Sequence, residues 1–431
     1  MNLTKPQMLI YDMEKFIGGA IGVICGSALM DADISVEEAQ KAVNEIFRIN
    51  DALRIRIVDD NGKPQQYVAD YAEADIEVLH FGSKAELDSY AAEYAKEPLV
   101  FYGALAMIKI VLIPGKIGLL AKLHHIISDA WTLSLIATQF NELIKGDEVQ
   151  AFSYFDYIKE ENEYVAGKRY QKDRDYFLSQ FAECDESTFL SEKQAKSFSA
   201  ERVTYCIDKE RTAEINSYAA KNNISAFSLF MTAAAVYFSR VKMNTEKFYL
   251  GTPLLNRADF RQKNTVGMFI NTVPLLINLD NESAFAENLK SVETSAFSAM
   301  RHQRYNYGDL LDELRKSHNF SEKLYDVILS FQNAKVAGGE VETTWYHSGL
   351  QGESLQIHID DRDSEGIFRV HYDYLTEKFA EDEIEKIHRH ICNLLFDGIA
   401  NPNKKLHELN ILTPEEQQKL LYTFNDTAVE Y

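Results

Sequence analysis

The chain has 431 residues, 46% of them hydrophobic and 12% aromatic, enough apolar material for sizeable cores, and its length suggests about three domains. Lys and Arg number 45 against 66 Asp and Glu, a net charge of −21 with no basic run, which argues against nucleic acid or an anionic membrane surface as a partner. Cys25, Cys184, Cys206 and Cys392 lie far apart with no CxxC spacing, as suits reduced thiols in a cytoplasmic protein.

In chain order, Leu3-Thr4-Lys5-Pro6-Gln7 leads into a short helical pattern. Residues 16–30 are apolar and Gly-rich but, at about 15 residues, too short to span a bilayer. Asp12 and Glu14 precede them, which is wrong for a signal peptide, so the stretch reads as a buried strand. Ser35 is a capping type, and residues 37–52 show helical spacing, with Ala39, Ala42, Val43, Ile46 and Phe47 on one face. Residues 53–57 alternate like a strand, Asn61-Gly62 marks a hairpin turn, and residues 65–69 pair back. Residues 106–113 and 117–125 form two strands about a Pro114-Gly115-Lys116 turn, and Ser128 or Asp129 caps a helix over 131–145.

Residues 151–200 read as a mostly helical, polar crossing between two lobes. Beyond it come a strand (201–207), two helices (212–241), strands at 248–253 and 273–278, a long helix (282–302), a strand (324–332), a hairpin (356–374) and a helix (381–395). Two lobes of similar size follow, each a sheet with packed helices. Asp361-Arg362-Asp363-Ser364-Glu365-Gly366 begins like a calcium loop, but its twelfth position is Tyr372, not Glu, so it reads as a hairpin turn. Gly338-Gly339 lacks the Lys-Ser/Thr of a phosphate loop and reads as a turn.

Chemistry concentrates in Leu123-His124-His125-Ile126-Ile127-Ser128-Asp129-Ala130-Trp131. A strand ending in a tight loop can present an imidazole to a cavity, where it can take a proton near neutral pH. A histidine beside an apolar run is more often a hydrogen-bonded core residue. Zinc is disfavoured, because adjacent strand residues point to opposite faces.

This stretch resembles the HHxxxDG signature of condensation domains in nonribosomal peptide synthetases, with Ala130 in place of the glycine. Six further blocks resemble that family in order: Leu3 to Gln7; Arg48 to Arg54, with Ile49 and Asn50 replacing His and Glu of RHExLR; Tyr154-Phe155-Asp156-Tyr157; Thr252 to Arg257 with Val266 to Thr272; His302 to Tyr307, with Arg304 and Asn306 as departures; and Tyr325 to Asn333. Residues 423–431 resemble the linker that opens an adenylation domain, so the chain is expected to be a piece of a longer synthetase.

The resemblance implies an α/β (α+β) fold of two chloramphenicol-acetyltransferase-like lobes in a V-shaped pseudo-dimer with a tunnel between them. Residues 1–175 would form the N-terminal lobe with the motif, 176–415 the C-terminal lobe, and 416–431 the start of the linker to a downstream adenylation domain. It implies amide formation between a donor acyl thioester and the amine of an aminoacyl group on a carrier protein. Peptidyl or acyl carrier domains would be the partners, with substrates on phosphopantetheine arms or as acyl-CoA, and no cofactor or metal held. His125 would be catalytic and His124 would orient the loop. Asp129 would be structural with Arg54 as its partner, although Arg54 also fits a surface strand charge. Trp131, Ser330 and Asn333 would line the substrate channel, Asn333 also fitting a hairpin-end cap. Ala130 is expected at negative φ, beside a slightly narrowed tunnel.

The motif begins at Leu3, so if Met1 is the native start the protein would be the first domain of its synthetase. Its donor would then arrive in trans, a fatty acyl group for N-acylation of the first residue. Elongation-type peptide condensation and a non-catalytic docking domain of the same fold are the alternatives; the presence of His125 disfavours the latter. An epimerisation domain would carry Ser-Trp two to three residues after the glycine, whereas Trp131-Thr132 follows Ala130 directly.

Overall fold

A computed structural model describes residues 1–419 except 32–33, 185–189, 191–194, 244, 319, 321–322, 338–339 and 363–364. The turn at Gly338-Gly339 and the linker-like residues 423–431 lie outside the described residues.

Local chemistry sets the first elements. Helix α1 (Lys5–Ile17) starts from a reciprocal cap, in which Thr4 Oγ1 accepts the Gln7 N–H (3.3 Å) and Gln7 Oε1 accepts the Thr4 N–H (2.9 Å). Gly18 and Gly19, at φ 69° and 68°, end it. The apolar stretch 16–30 is therefore not one strand: its start finishes a helix, the glycines turn the chain, and β1 begins only at Val23 (Val23–Met30). Helix α2 (Val36–Ile49) carries a second capping box, Ser35 with Glu38. It ends before the expected Ala52, because Asn50 turns back onto the Ile46 carbonyl and a 3-10 turn, Asp51–Arg54, follows.

Strands β2 (Ile55–Asp60) and β3 (Lys63–Val68) form the expected hairpin, with Asn61 and Gly62 both at positive φ. A short strand β4 (Val78–His80) and helix α3 (Lys84–Lys96) come next, in a region with no clear pattern in the sequence. Strands β5 (Ala106–Ile113) and β6 (Lys116–His124) lead to α4 (Ala130–Ile144), whose cap is Asp129. The remaining strands are β7 (Ala200–Ile207), β8 (Lys247–Leu254), β9 (Asn271–Asn278), β10 (Val327–Gln332), β11 (Val341–Tyr346), β12 (Leu355–Asp360) and β13 (Phe368–Leu375).

Two sheets organise the molecule, in the orders β11-β1-β6-β5-β4 and β7-β13-β12-β10-β8-β9. The mixed architecture is the one expected. In the first sheet one face buries Ile108, Ile110, Leu119 and Leu123 among residues of α2 and α4, and the other buries Cys25, Leu29 and Leu120 among residues of α3. The second sheet is backed by the apolar helix Ala226–Phe238 and the buried faces of the amphipathic helices Phe285–Arg301 and Glu381–Ala400.

The sheets are not built from separate halves of the chain. Strand β11, late in the sequence, pairs antiparallel with β1 (Cys25↔Tyr346 to Met30↔Val341), and Val266, Met268 and Phe269 pack into the first sheet's core. At this edge Arg362 lies 3.7 Å from the Trp345 ring centre, and Arg202 grips Asp373 (2.6 and 2.7 Å) while donating to the Trp345 carbonyl (3.3 Å). A polar cleft of about 480 Å³ opens beside them.

The β1–β6 ladder is tight at Gly118, where a Cβ would sit 1.9 Å from the Ala28 carbonyl oxygen. Gly118→Ala is expected to cost about 1–3 kcal/mol or more by overpacking. A thermal melt followed by circular dichroism checks this; an unchanged midpoint contradicts the close approach.

Candidate active site

Strand β6 delivers His124 and His125 into a loop closed by Ser128 and Asp129 before α4 begins. The His125 N–H donates to the Gly22 carbonyl (2.6 Å), fixing the loop to the segment before β1. The His125 Nδ1 lies 2.8 Å from the Ser128 carbonyl oxygen. A carbonyl only accepts, so Nδ1 carries the proton and Nε2 of the neutral ring keeps its lone pair. Burial pushes the His125 pKa below the ordinary imidazole value, against the opposing charge of Asp129. The residue is therefore a neutral, half-buried acceptor at neutral pH.

His124 is buried and differently engaged. Its Nδ1 accepts the Ile126 N–H (3.1 Å), and its ring packs against Phe101. The Ile126 carbonyl in turn accepts from Gln7 Nε2 of α1 (2.9 Å).

Asp129 has no solvent exposure, and its carboxylate collects donors from three directions. Oδ1 accepts the Thr132 N–H (2.9 Å) and hydroxyl (3.1 Å), Oδ2 accepts the Phe269 N–H (3.1 Å), and Arg257 Nη2 reaches both oxygens at 3.0 Å. Arg257 is equally buried, stacks 3.9 Å from the Phe269 ring centre, and donates from Nη1 to the carbonyls of Gln262 and Thr265 and from Nη2 to that of Gly267, while its buried Nε–H has no partner among the described residues.

The partner of Asp129 is thus Arg257, not Arg54. Arg54 closes the 3-10 turn after α2 and donates to the carbonyls of Phe47 (3.1 Å), Ala69 (2.7 Å) and Arg48 (3.5 Å) at the base of the β2–β3 hairpin. It is partly exposed there, so solvent and backbone carbonyls satisfy its charge without a carboxylate. A signal for Arg257 was available, since a buried carboxylate needs a cation and Arg257 is the one charge in the block Thr252 to Arg257.

The other expected residues divide. Ala130 is the first residue of α4 and has negative φ, as expected. Trp131 donates from Nε1 to the Lys263 carbonyl (2.8 Å), joining α4 to the short helix Phe260–Lys263. Asn333 is exposed just past β10, where the following segment is stitched to α4 by Ser134 Oγ donating to the Ala334 carbonyl (2.9 Å) and Ala337 N–H donating to Thr138 Oγ1 (3.0 Å). Ser330 belongs to a different network: its hydroxyl pairs with His358 Nδ1 (2.7 Å), whose Nε2 faces Asp373 (3.2 Å). Gly22, Gln7, Arg257 and Phe269 are site residues that sequence reasoning missed.

Removing either member of a buried pair strands the other's charge. Asp129→Ala and Arg257→Ala are each expected to cost about 3–5 kcal/mol in urea unfolding. Together they should lose less than the sum, while Arg54→Ala should add independently to Asp129→Ala. An additive Asp129–Arg257 cycle rejects the pairing. In an NMR titration His125 should protonate below about 6.5, the ordinary histidine value; a higher value contradicts the neutral, half-buried ring.

A family model described as the condensation domain matches residues 3–421. Surfactin synthase subunit 1 of Bacillus subtilis (strain 168) is 29% identical over 458 residues, covering 100% of this chain and 12% of that protein. Gramicidin S synthase 2 of Brevibacillus brevis is 25% identical over 443 residues, covering 100% of this chain and 10% of that one. The chain therefore spans a small fraction of the length of these relatives. Among solved structures, a starter condensation domain of a rhizomide synthetase in complex with C8-CoA superposes with a TM-score of 0.84 at 18% identity, covering 95% of this chain and 97% of that one. The first condensation domain of the CDA synthetase gives 0.82 at 18%, covering 96% and 99%.

Proposed function

The chain belongs to the condensation-domain family, and from that premise we propose that it forms an amide between a donor acyl thioester and the amine of a carrier-bound aminoacyl group. The observation that carries this reading is the state of His125, with Nδ1 committed to the Ser128 carbonyl and the Nε2 lone pair left over. The acceptor amine hydrogen-bonds to Nε2 and attacks the thioester carbonyl. As the C–N bond forms, Nε2 takes the amine proton. The tetrahedral oxyanion is met by donors at the start of α4, where the Thr132 N–H is already committed to Asp129 and the two preceding N–H groups are the candidates. The C–S bond then breaks, and the departing sulfur receives the proton from His125. Amide and free thiol are the products, so the charge balance needs no cofactor. Holding both substrates in one orientation supplies much of the acceleration.

Carrier domains bearing phosphopantetheine arms, a downstream adenylation domain and a cytoplasmic setting belong to the same proposal. Trp131 and Asn333 are assigned to the substrate path, since each sits where α4 meets the second half of the chain. The retained His125 argues against a purely docking role.

For the donor we propose a fatty acyl group, delivered as acyl-CoA or on an acyl carrier. The support is a seam between α4 and the first sheet, where Ala28, Leu133, Ile136 and Ala137 lie beside Ser27 and Ser134, on the helix that begins at the motif loop. Each methylene buried there would contribute about 0.8 kcal/mol. Its present volume, about 20 Å³, holds little more than one water, so an acyl chain enters it only when Leu133 moves aside.

His125→Ala should abolish product with a wild-type melting curve, and wild-type yield from it would remove His125 from the mechanism. Acyl-CoA donors of graded length, offered with an aminoacyl carrier, separate the donor classes by intact-mass analysis. Fatty amides are expected, and Leu133→Ala should extend the longest chain accepted. Product from peptidyl donors alone returns the chain to elongation.

A further inference from the structure

His124 has a second ring nitrogen that the loop does not use. Its Nδ1 accepts the Ile126 N–H, so the neutral ring carries its proton on Nε2. That atom is buried and makes no hydrogen bond; the nearest acceptor is Glu14 Oε2, 3.5 Å away, which is itself buried and unbonded. The two side chains are only 2% and 12% exposed. Gly22 makes the space they share: a Cβ there would lie 2.5 Å from His124 Nε2 and 3.0 Å from Glu14 Oε2. The same glycine's carbonyl holds the His125 N–H.

Glu14 stands seven residues after Gln7, two turns along the same face of α1. Gln7 already donates to the Ile126 carbonyl. Helix α1 therefore reaches the residues on both sides of His125, by an amide on one and a carboxylate on the other. A buried carboxylate oxygen without a donor is costly, and an apolar side chain would fill the place more cheaply.

We infer that Glu14 is a positioning residue for amide formation: it holds the His124 Nε2–H, and through the His124 Nδ1–Ile126 bond it sets the loop that aims His125. The inference rests on the reaction proposed above. The 3.5 Å contact shortens to a hydrogen bond when substrates fill the site, as catalytic hydrogen bonds commonly do.

The test uses the full chain with Glu14→Gln, which keeps a carbonyl acceptor, and Glu14→Met, which keeps volume alone. Glu14→Met should lower kcat about ten- to a hundredfold, the scale of a slightly misplaced catalytic group, with KM for donor and acceptor little changed. Glu14→Gln should recover most of kcat. Nitrogen-15 histidine spectra should show His124 protonated on Nε2 in the wild type and Glu14→Gln, and a mixture of tautomers in Glu14→Met. Wild-type kcat in Glu14→Met overturns the inference, as does an equal loss in Glu14→Gln and Glu14→Met. Should the wild type form no amide with any donor, the reaction itself is misassigned; the tautomer measurement then decides the role of Glu14 alone, and an unchanged His124 spectrum in Glu14→Met removes it.

Discussion

The Asp129–Arg257 pair is the interaction on which the remaining site geometry depends. Neither side chain touches water, so each charge relies on the other and on the donors and carbonyls around it. Desolvating two ions is offset only when nearly every hydrogen-bonding position is filled. Here the carboxylate has donors from Thr132, Phe269 and Arg257, and the guanidinium's two terminal nitrogens also donate to three carbonyls, leaving only its Nε–H without a partner among the described residues. Both residues are thereby held to one arrangement. Asp129 also caps α4, so the same atoms fix the helix start, the motif loop and the segment 257–269 relative to one another.

Within that frame the two histidines divide the work. His124 faces inward, spends its Nδ1 on the backbone of its own loop, and packs on Phe101. His125 ties down its N–H and Nδ1 and leaves one nitrogen uncommitted. Adjacent residues leaving a strand point to opposite sides, so a doubled histidine yields one anchor and one chemical group from the same short turn.

Local signals in the sequence translated well into structure. Ser35 and Glu38 close a capping box, Asn61-Gly62 makes the β2–β3 turn, and apolar runs on either side of the Pro114-Gly115-Lys116 turn mark β5 and β6. The misses share a physical cause. Periodicity could not separate the end of α1 from β1 within one apolar stretch, where two glycines made the break. Strand β11 is half-exposed and carries Glu, Thr and Trp, so it has no apolar run to announce it. In the site, the motif loop was legible as a contiguous string. Spacing could not name the partner of Asp129, 128 residues away; the one signal was the lone charge of the block Thr252 to Arg257, and Arg54 stood in a block that resembled the expected partner's.

The pairing of β11 with β1 ties the order of synthesis to the order of folding. Met30 lies beside Val341, 311 residues later in the chain. On a ribosome, β1 would emerge, meet β6 within about a hundred residues, and then keep one flank open until four of the second sheet's six strands had been made. An open, apolar strand edge is a template for pairing with another chain, so a nascent chain halted between the sheets carries an aggregation hazard that the finished molecule does not. Closing so long a loop is slow but adds only logarithmically to the entropic cost, which makes the late strand a kinetic bottleneck more than a thermodynamic burden. Expressing the first half alone would therefore yield a sheet with an uncovered flank rather than a soluble half-enzyme.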